Sequence, residues 1–271
     1  MKKFLVVISM LFAAQAFAAD LASFDKLSGT VQIAGGTAHI PVMQAAAKNI
    51  SAHNDKIVIT VAGGGSGAGV KMVADGLVQI GNTGRALKDS EIKEFGLQTF
   101  PFAIDGVAVI VHPENPVKNL TTAQVIDIFN GKITNWKEIG GKDTGIDLYT
   151  REDGSGTREV FVDILLKKGA ILPRAIIVNS NGAMKTAVSR NARGIGYVGI
   201  GSIDNTVKAT DIDGITPTQE NASSGVYKVT RLLYMNTKGA PEKLTKAFIE
   251  YITDSADGKK IIVEAGYIPL K

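Results

Sequence analysis

Arg151-Glu152-Asp153-Gly154-Ser155-Gly156-Thr157-Arg158 lies between a strand pattern and a helix pattern, and how it is read decides the fold. Upstream, Ile146 to Thr150 alternates apolar and polar residues. Downstream, Val160, Phe161, Ile164 and Leu165 share one helical face that ends at Gly169. A loop between a strand and a helix N-terminus presents unpaired N–H groups and the positive end of the helix dipole. Gly154 and Gly156 leave room for close approach to the backbone, Ser155 and Thr157 add hydroxyl donors, and Arg151 adds a planar charged fork suited to oxyanions. The same residues also suit a plain capped turn, with Ser155 or Thr157 closing the helix and Arg151 pairing with Asp153 at the surface. Alone, the loop supports both readings equally.

Three further segments repeat the arrangement. Val31 to Ile33 runs through Ala34-Gly35-Gly36-Thr37 into a helix with Ile40, Met43, Ala47 and Ile50 on its apolar face, and Pro41 fits its first turn. Ile57 to Val61 leads through the glycine loop 62–69, which contains Ser66, into a helix carrying Val70, Val73, Ala74 and Leu77. Val78 to Gly81 reads as a strand with Asn82, Thr83 and Arg85 at its carboxyl end, where open α/β sheets hold ligands. The glycine loop is not a nucleotide P-loop, because Lys71 follows Val70 and precedes Met72. It is not a hydrolase elbow either, because Ala68 stands where the second glycine is needed. Ser66 is therefore read as a donor.

Further along, Phe100 to Gly106 precedes the apolar strand Val107 to Val111. Thr121 to Gln124 has capping-box spacing ahead of Val125, Ile128 and Phe129, and Trp136 is read as packing. After the opening loop come the strands Ile176 to Val178 and Gly194 to Val198, with a helical segment from Met184 to Val188 between them. Val226 to Arg231 returns to a last apolar strand, Leu232 to Met235. Helical segments follow, one bearing Leu244, Phe248, Tyr251 and Ile252 and the other running from Gly258 to Ala265.

With 271 residues, 45% hydrophobic and 21% charged, the chain can bury a full core. Lys2 and Lys3, the apolar run Phe4 to Phe12 and Ala16-Phe17-Ala18 form a secretory signal, cut after Ala18. The run is too short for a membrane span, and no cysteine follows for a lipid anchor or a disulfide. The 30 basic and 26 acidic residues nearly balance, with no basic block interleaved with aromatics, so no nucleic-acid partner is expected. His39, His53 and His112 lack metal-ligand spacing, and no nucleophile has an evident base nearby. No catalytic residue, metal or cofactor is therefore expected.

Five segments in order, GGGSGAGV (63–70), 105–141, REDGSGTREVF (151–161), ARGIGYVGIG (192–201) and 248–270, make the chain resemble the short bacterial form of the periplasmic phosphate-binding proteins of phosphate ABC transporters. The resemblance covers nearly all of the chain after the signal. It implies an α/β, two-lobed periplasmic-binding-protein fold of type II, each lobe a mixed sheet flanked by helices. Two crossover strands would join the lobes, with the ligand in the cleft between them. The expected division is 1–18 signal peptide, 19–106 with 232–271 as the first lobe, and 107–231 as the second.

The resemblance further implies a non-enzymatic monomer in the periplasm that binds inorganic phosphate and delivers it to an inner-membrane ABC permease. The expected binding residues are Gly36, Thr37, Ser66, Thr83, Arg85, Asp105, Arg151, Asp153, Ser155, Gly156 and Thr157. Longer members place an aspartate, the acceptor for the phosphate proton, where this chain has Gly84. Asp105 and Asp153 are then the candidates for that role, and Asp153 alternatively orients Arg151. The other readings are a binder of sulfate, molybdate or tungstate, a sensor or surface protein of the same fold, and a secreted phosphoryl-transfer hydrolase.

Overall fold

The apolar runs Val107 to Val111 and Gly194 to Val198 become strands buried on both faces, whereas Ile57 to Val61 and Ile176 to Val178 lie toward the sheet edges with one or more residues exposed. A computed structural model describes residues 20–270, so the expected signal peptide lies outside the described residues. The strands are β1 (Gly29–Gly35), β2 (Ile57–Gly64), β3 (Ile80–Thr83), β4 (Leu97–Val111), β5 (Asn119–Leu120), β6 (Asp147–Arg151), β7 (Ile176–Val178), β8 (Gly194–Gly199), β9 (Lys208–Ala209), β10 (Asp211–Ile212), β11 (Thr230–Lys238) and β12 (Ile268–Pro269). The helices are α1 (Ile40–His53), α2 (Gly65–Ala74), α3 (Asp89–Phe95), α4 (Thr122–Phe129), α5 (Gly156–Val160), α6 (Asn181–Ser189), α7 (Gln219–Ser223), α8 (Lys243–Asp254) and α9 (Ala256–Glu264).

The main sheet runs β2-β1-β3-β11-β4-β8-β6-β7. Its long strand β4 serves two neighbours in succession. Residues Leu97 to Gly106 pair antiparallel with β11, and Val107 to Val111 pair antiparallel with β8. Strands β1, β2 and β3 are parallel to one another, as are β6, β7 and β8.

Side chains gather into two large hydrophobic clusters. One holds Phe24, Ile33, Met43, Phe102, Phe248 and Tyr251, and the other holds Val107, Phe129, Trp136, Phe161 and Tyr197. In the second cluster the ring of Phe161 stacks on Tyr197 at 3.9 Å between centroids. The Tyr197 hydroxyl then reaches the end of β6, 2.9 Å from Thr150 Oγ1, and accepts from the Arg151 N–H at 3.1 Å. Aromatic packing thus fixes the strand end that carries Arg151. Trp136 is buried as expected, and its Nε1–H donates to the Arg193 carbonyl.

Two details depart from the periodicity. Leu77 is 60% exposed because α2 starts within the glycines, at Gly65, and has already ended at Ala74. Ile164 is 40% exposed because α5 passes into a wide turn with i→i+5 bonding over Phe161–Leu165. The wider turn rotates Ile164 out of the core while Leu165 stays buried.

Candidate functional site

The ends of β1, β2, β3 and β6 and the start of α5 converge on one small, partly open cavity of about 200 Å³, its mouth included. Larger clefts exist, including one of about 840 Å³ between Ile128 and Arg174, so size does not single this site out. Convergent donors do. Thr37, Ser66, Arg151, Ser155, Gly156 and Thr157 all line the cavity, together with Gly36.

Arg151 closes β6 with its side chain almost wholly buried. Glu152 grips it by both sides, receiving Nε–H at 2.9 Å and Nη2–H at 2.8 Å. Carbonyls of Val178 and Asn179 accept two further bonds. Nη1 has only a 3.5 Å contact to Asn181, so this nitrogen is the one left to face the cavity.

Ser155 caps α5 by accepting from the Arg158 N–H. The capped turn and the donor wall are therefore the same structure, and the next peptide N–H groups, of Gly156 and Thr157, open onto the cavity. Opposite, Ser66 stands in the first turn of α2, and its Oγ accepts from the Gly84 N–H at 3.0 Å. A Cβ at Gly156 would lie 2.3 Å from that Oγ, so only glycine lets these two walls meet. Further contacts join them. Gly67 N–H donates to Gly154 O at 2.9 Å, Asn181 N–H to Thr37 Oγ1 at 3.4 Å, and Arg85 Nε lies 2.8 Å from Glu159.

Four of the residues singled out from the sequence lie outside the cavity. Thr83 is buried, but its hydroxyl donates to the Arg85 carbonyl and accepts from Asn236. Arg85 is committed to Glu91 through both Nη atoms and to Glu159 through Nε. Asp153 is 93% exposed and pairs with Arg158, so it neither faces the cavity nor holds Arg151. β6 ends at Arg151 and the chain turns at Asp153-Gly154, which carries Asp153 outward and leaves Glu152 against the arginine. Asp105 is fully buried one layer behind the cavity, where its Oδ2 receives Nε–H of Arg231 at 3.1 Å and Nη2–H at 2.7 Å. Burial pushes the Asp105 carboxyl up, and the Arg231 guanidinium opposes that push.

Arg231 and His39 line the cavity and are not among the residues expected from the sequence; Gly84, where longer members carry an aspartate, lines it as well. Arg231 Nη1–H donates to Thr157 Oγ1 at 2.9 Å. A signal existed, since Arg231 has the same strand parity as buried Leu233 and Met235 and so belongs on their face. His39 packs edge-on against Phe102, and its Nδ1–H donates to the Gly36 carbonyl. Burial lowers its pKa from 6.5 to about 3, assisted by the positive charge of Arg231, so the ring stays neutral.

Each cavity arginine thus has a carboxylate behind it, while the space in front is ringed by N–H and O–H groups. Such a ring fits a compact oxyanion whose oxygens each accept several bonds.

The match of the chain to known proteins agrees with that chemistry. Residues 22–256 match the family described as the PBP superfamily domain. The chain is 36% identical to the phosphate-binding protein PstS of Bacillus subtilis over 248 residues, 91% of this chain and 82% of that one. Among solved structures, it is similar to a protein assigned as a phosphate ABC transporter substrate-binding protein, with bound phosphate, from Clostridium perfringens. The TM-score there is 0.84, with 38% identity, covering 90% of this chain and all of that one. An ABC-type phosphate transport receptor from Vibrio cholerae matches at TM-score 0.69 and 36% identity, covering 88% of this chain and 99% of the receptor.

Proposed function

The chain belongs to the PstS family of phosphate-binding proteins within the PBP superfamily, and from that premise we propose that it captures inorganic phosphate and delivers it to an ABC-type phosphate permease. Its family works outside the cytoplasm. The reading of residues 1–18 as a leader supports the narrower proposal of the periplasm.

The observation that carries this reading is the ring of donors around Arg151. Phosphate would take bonds from the hydroxyls of Thr37, Ser66, Ser155 and Thr157, from the Gly156 N–H, and from Nη1 of Arg151. Gly36 belongs to the same wall by shape. Thr83, Arg85 and Asp105 act behind it, as the support of that wall.

The residues 19–106 with 232–271 and the residues 107–231 are the two lobes of this proposal, each formed around its own hydrophobic cluster. Contacts such as Gly67 to Gly154 form when ligand brings the lobes together. The role is binding without turnover. Ser66 and Ser155 each accept from a backbone N–H, and among the described residues neither hydroxyl donates to an imidazole or carboxylate that would activate it.

Titration calorimetry with inorganic phosphate tests the reading directly. Tight binding by the purified protein, lost in Arg151→Ala with the circular dichroism unchanged, is the expected result. Absence of heat with phosphate alongside tight binding of molybdate or tungstate would assign the site to another oxyanion.

A further inference from the structure

Residues 265–270 touch both halves of the molecule, beside the place where the main sheet crosses from one half to the other. In β4, Ala103 and Ile104 pair with β11 on one side. Their other edge is taken by β12, through Ile268 to Ile104 and Pro269 to Ala103, and the Leu270 N–H adds a bond to the Phe102 carbonyl. From Val107 onward that same edge belongs to β8. The C-terminal segment thus meets β8 end to end, where β4 changes partners.

Adjacent residues of this segment enter different cores. Tyr267 is buried in the cluster of Phe102 and Phe248, while Ile268 packs against the cluster of Val107 and Phe161. The approach to the second half is close. A Cβ at Gly201 would lie 2.5 Å from Cε1 of Tyr267 and 2.9 Å from the Ala265 carbonyl oxygen, and one at Gly266 would lie 2.9 Å from the Gly201 Cα. Glycine at both positions lets the two segments touch. Gln219 of α7 adds a bond, donating from Nε2 to the Gly266 carbonyl. In the other direction the segment reaches the binding wall: the Tyr267 hydroxyl donates to the Ala38 carbonyl at 2.7 Å, next to Thr37. Burial pushes the pKa of that hydroxyl up, so it stays a donor across the neutral range.

Resting on the two-lobe phosphate reading, we propose that residues 265–270 form a strap across the hinge, with Tyr267 as the positioning residue that ties the Thr37–Ala38 wall to it. In a rigid-body closure, atoms move in proportion to their distance from the axis. Contacts beside the crossover strands therefore persist, while those at the cleft, such as Gly67 to Gly154, form and break. A contact kept in both states adds no preference for the closed form. It narrows the ligand-free ensemble instead, and so reduces the ordering that phosphate must impose when it binds. The strap governs capture and leaves release to the cleft.

The test combines small-angle X-ray scattering with stopped-flow phosphate binding, on the purified protein and on the Y267F/Q219L variant, which removes both side-chain hydrogen bonds and keeps the buried ring. The ligand-free variant should scatter as a larger particle than the ligand-free wild type, and both should shrink to the same size with inorganic phosphate. Association should slow about three- to tenfold, with the release rate unchanged. Faster release with unchanged association would overturn the strap, because it would place these bonds among the contacts of the closed form. Identical scattering of the two ligand-free proteins would overturn it as well. G201A is an independent probe, since its methyl group presses the segment off the second lobe. It should reproduce the slower association, and wild-type kinetics in folded G201A would count against the strap. No phosphate binding by the wild type would defeat the phosphate reading, while the ligand-free scattering would still decide the strap.

Discussion

Glu152, and not its neighbour Asp153, holds the guanidinium of Arg151, with bonds of 2.9 and 2.8 Å to its two carboxylate oxygens. Asp153 faces solvent beside Arg158. Glu152→Gln should therefore weaken phosphate binding roughly 10- to 100-fold, because a misaligned arginine loses the geometry that its remaining Nη1 needs. Asp153→Asn should leave affinity within about twofold, as exposed pairs contribute little. Calorimetry on the two variants compares them directly, and equal losses would show that the loop is sensitive to any charge change.

Gly156→Ala should abolish phosphate binding while leaving the fold standing. The new Cβ would lie 2.3 Å from Ser66 Oγ and 3.1 Å from the Gly84 carbonyl carbon, atoms of the opposite wall, so the clash arises only when the walls meet. The expected loss is about a hundredfold or more, with the melting temperature of the ligand-free protein nearly unchanged and the rise on adding phosphate gone. A variant that still melts higher with phosphate would mean that the two walls tolerate a wider gap.

The strands and the glycine turns were legible because both are local: apolar runs set the first, and backbone that must approach other backbone sets the second. Arg231 was harder to see. It was read as part of a chain segment returning to a strand, and only the parity it shares with Leu233 and Met235 betrays that it is buried. Asp153 misled in the opposite direction. Its place in a glycine-rich loop beside Arg151 suggested a partner, whereas the turn after β6 sends it outward and leaves Glu152 against the arginine. Likewise, Thr83 and Arg85 carry the right chemistry at a strand end. Which way they face is set by partners far off in sequence, Asn236 and Glu159. Pairings of that range are invisible to periodicity.

His39 makes stability depend on pH. Its folded pKa is about 3 against 6.5 for an exposed imidazole, so between those values the unfolded chain binds a proton that the folded chain refuses. Stability from this group is full above about pH 6.5 and is lost as pH falls toward 3, at roughly 1.4 kcal/mol for each pH unit crossed. Urea denaturation midpoints measured across that range should fall with acidity in the wild type and fall less steeply in His39→Gln. Parallel curves would place the acid sensitivity on the carboxylates instead.

Arg85 and Glu159 join the two sides of the cavity at 2.8 Å, and Arg85 is kept in place by Glu91 even if Glu159 is removed. Glu159→Gln therefore deletes a contact made on closure without freeing the arginine. Glu159 is about one-third exposed, so solvent screens the pair and its contribution is that of a partly exposed bridge, a few tenths to about 1 kcal/mol. That converts to a two- to fivefold rise in the phosphate dissociation rate, with the association rate unchanged because the contact forms after encounter. Stopped-flow displacement at low and high salt reads this out: the wild type should release phosphate faster as salt screens the pair, and the variant should lose most of that salt dependence. If release is the same in both proteins at low salt, the ion pair rests on the closed form without stabilising it.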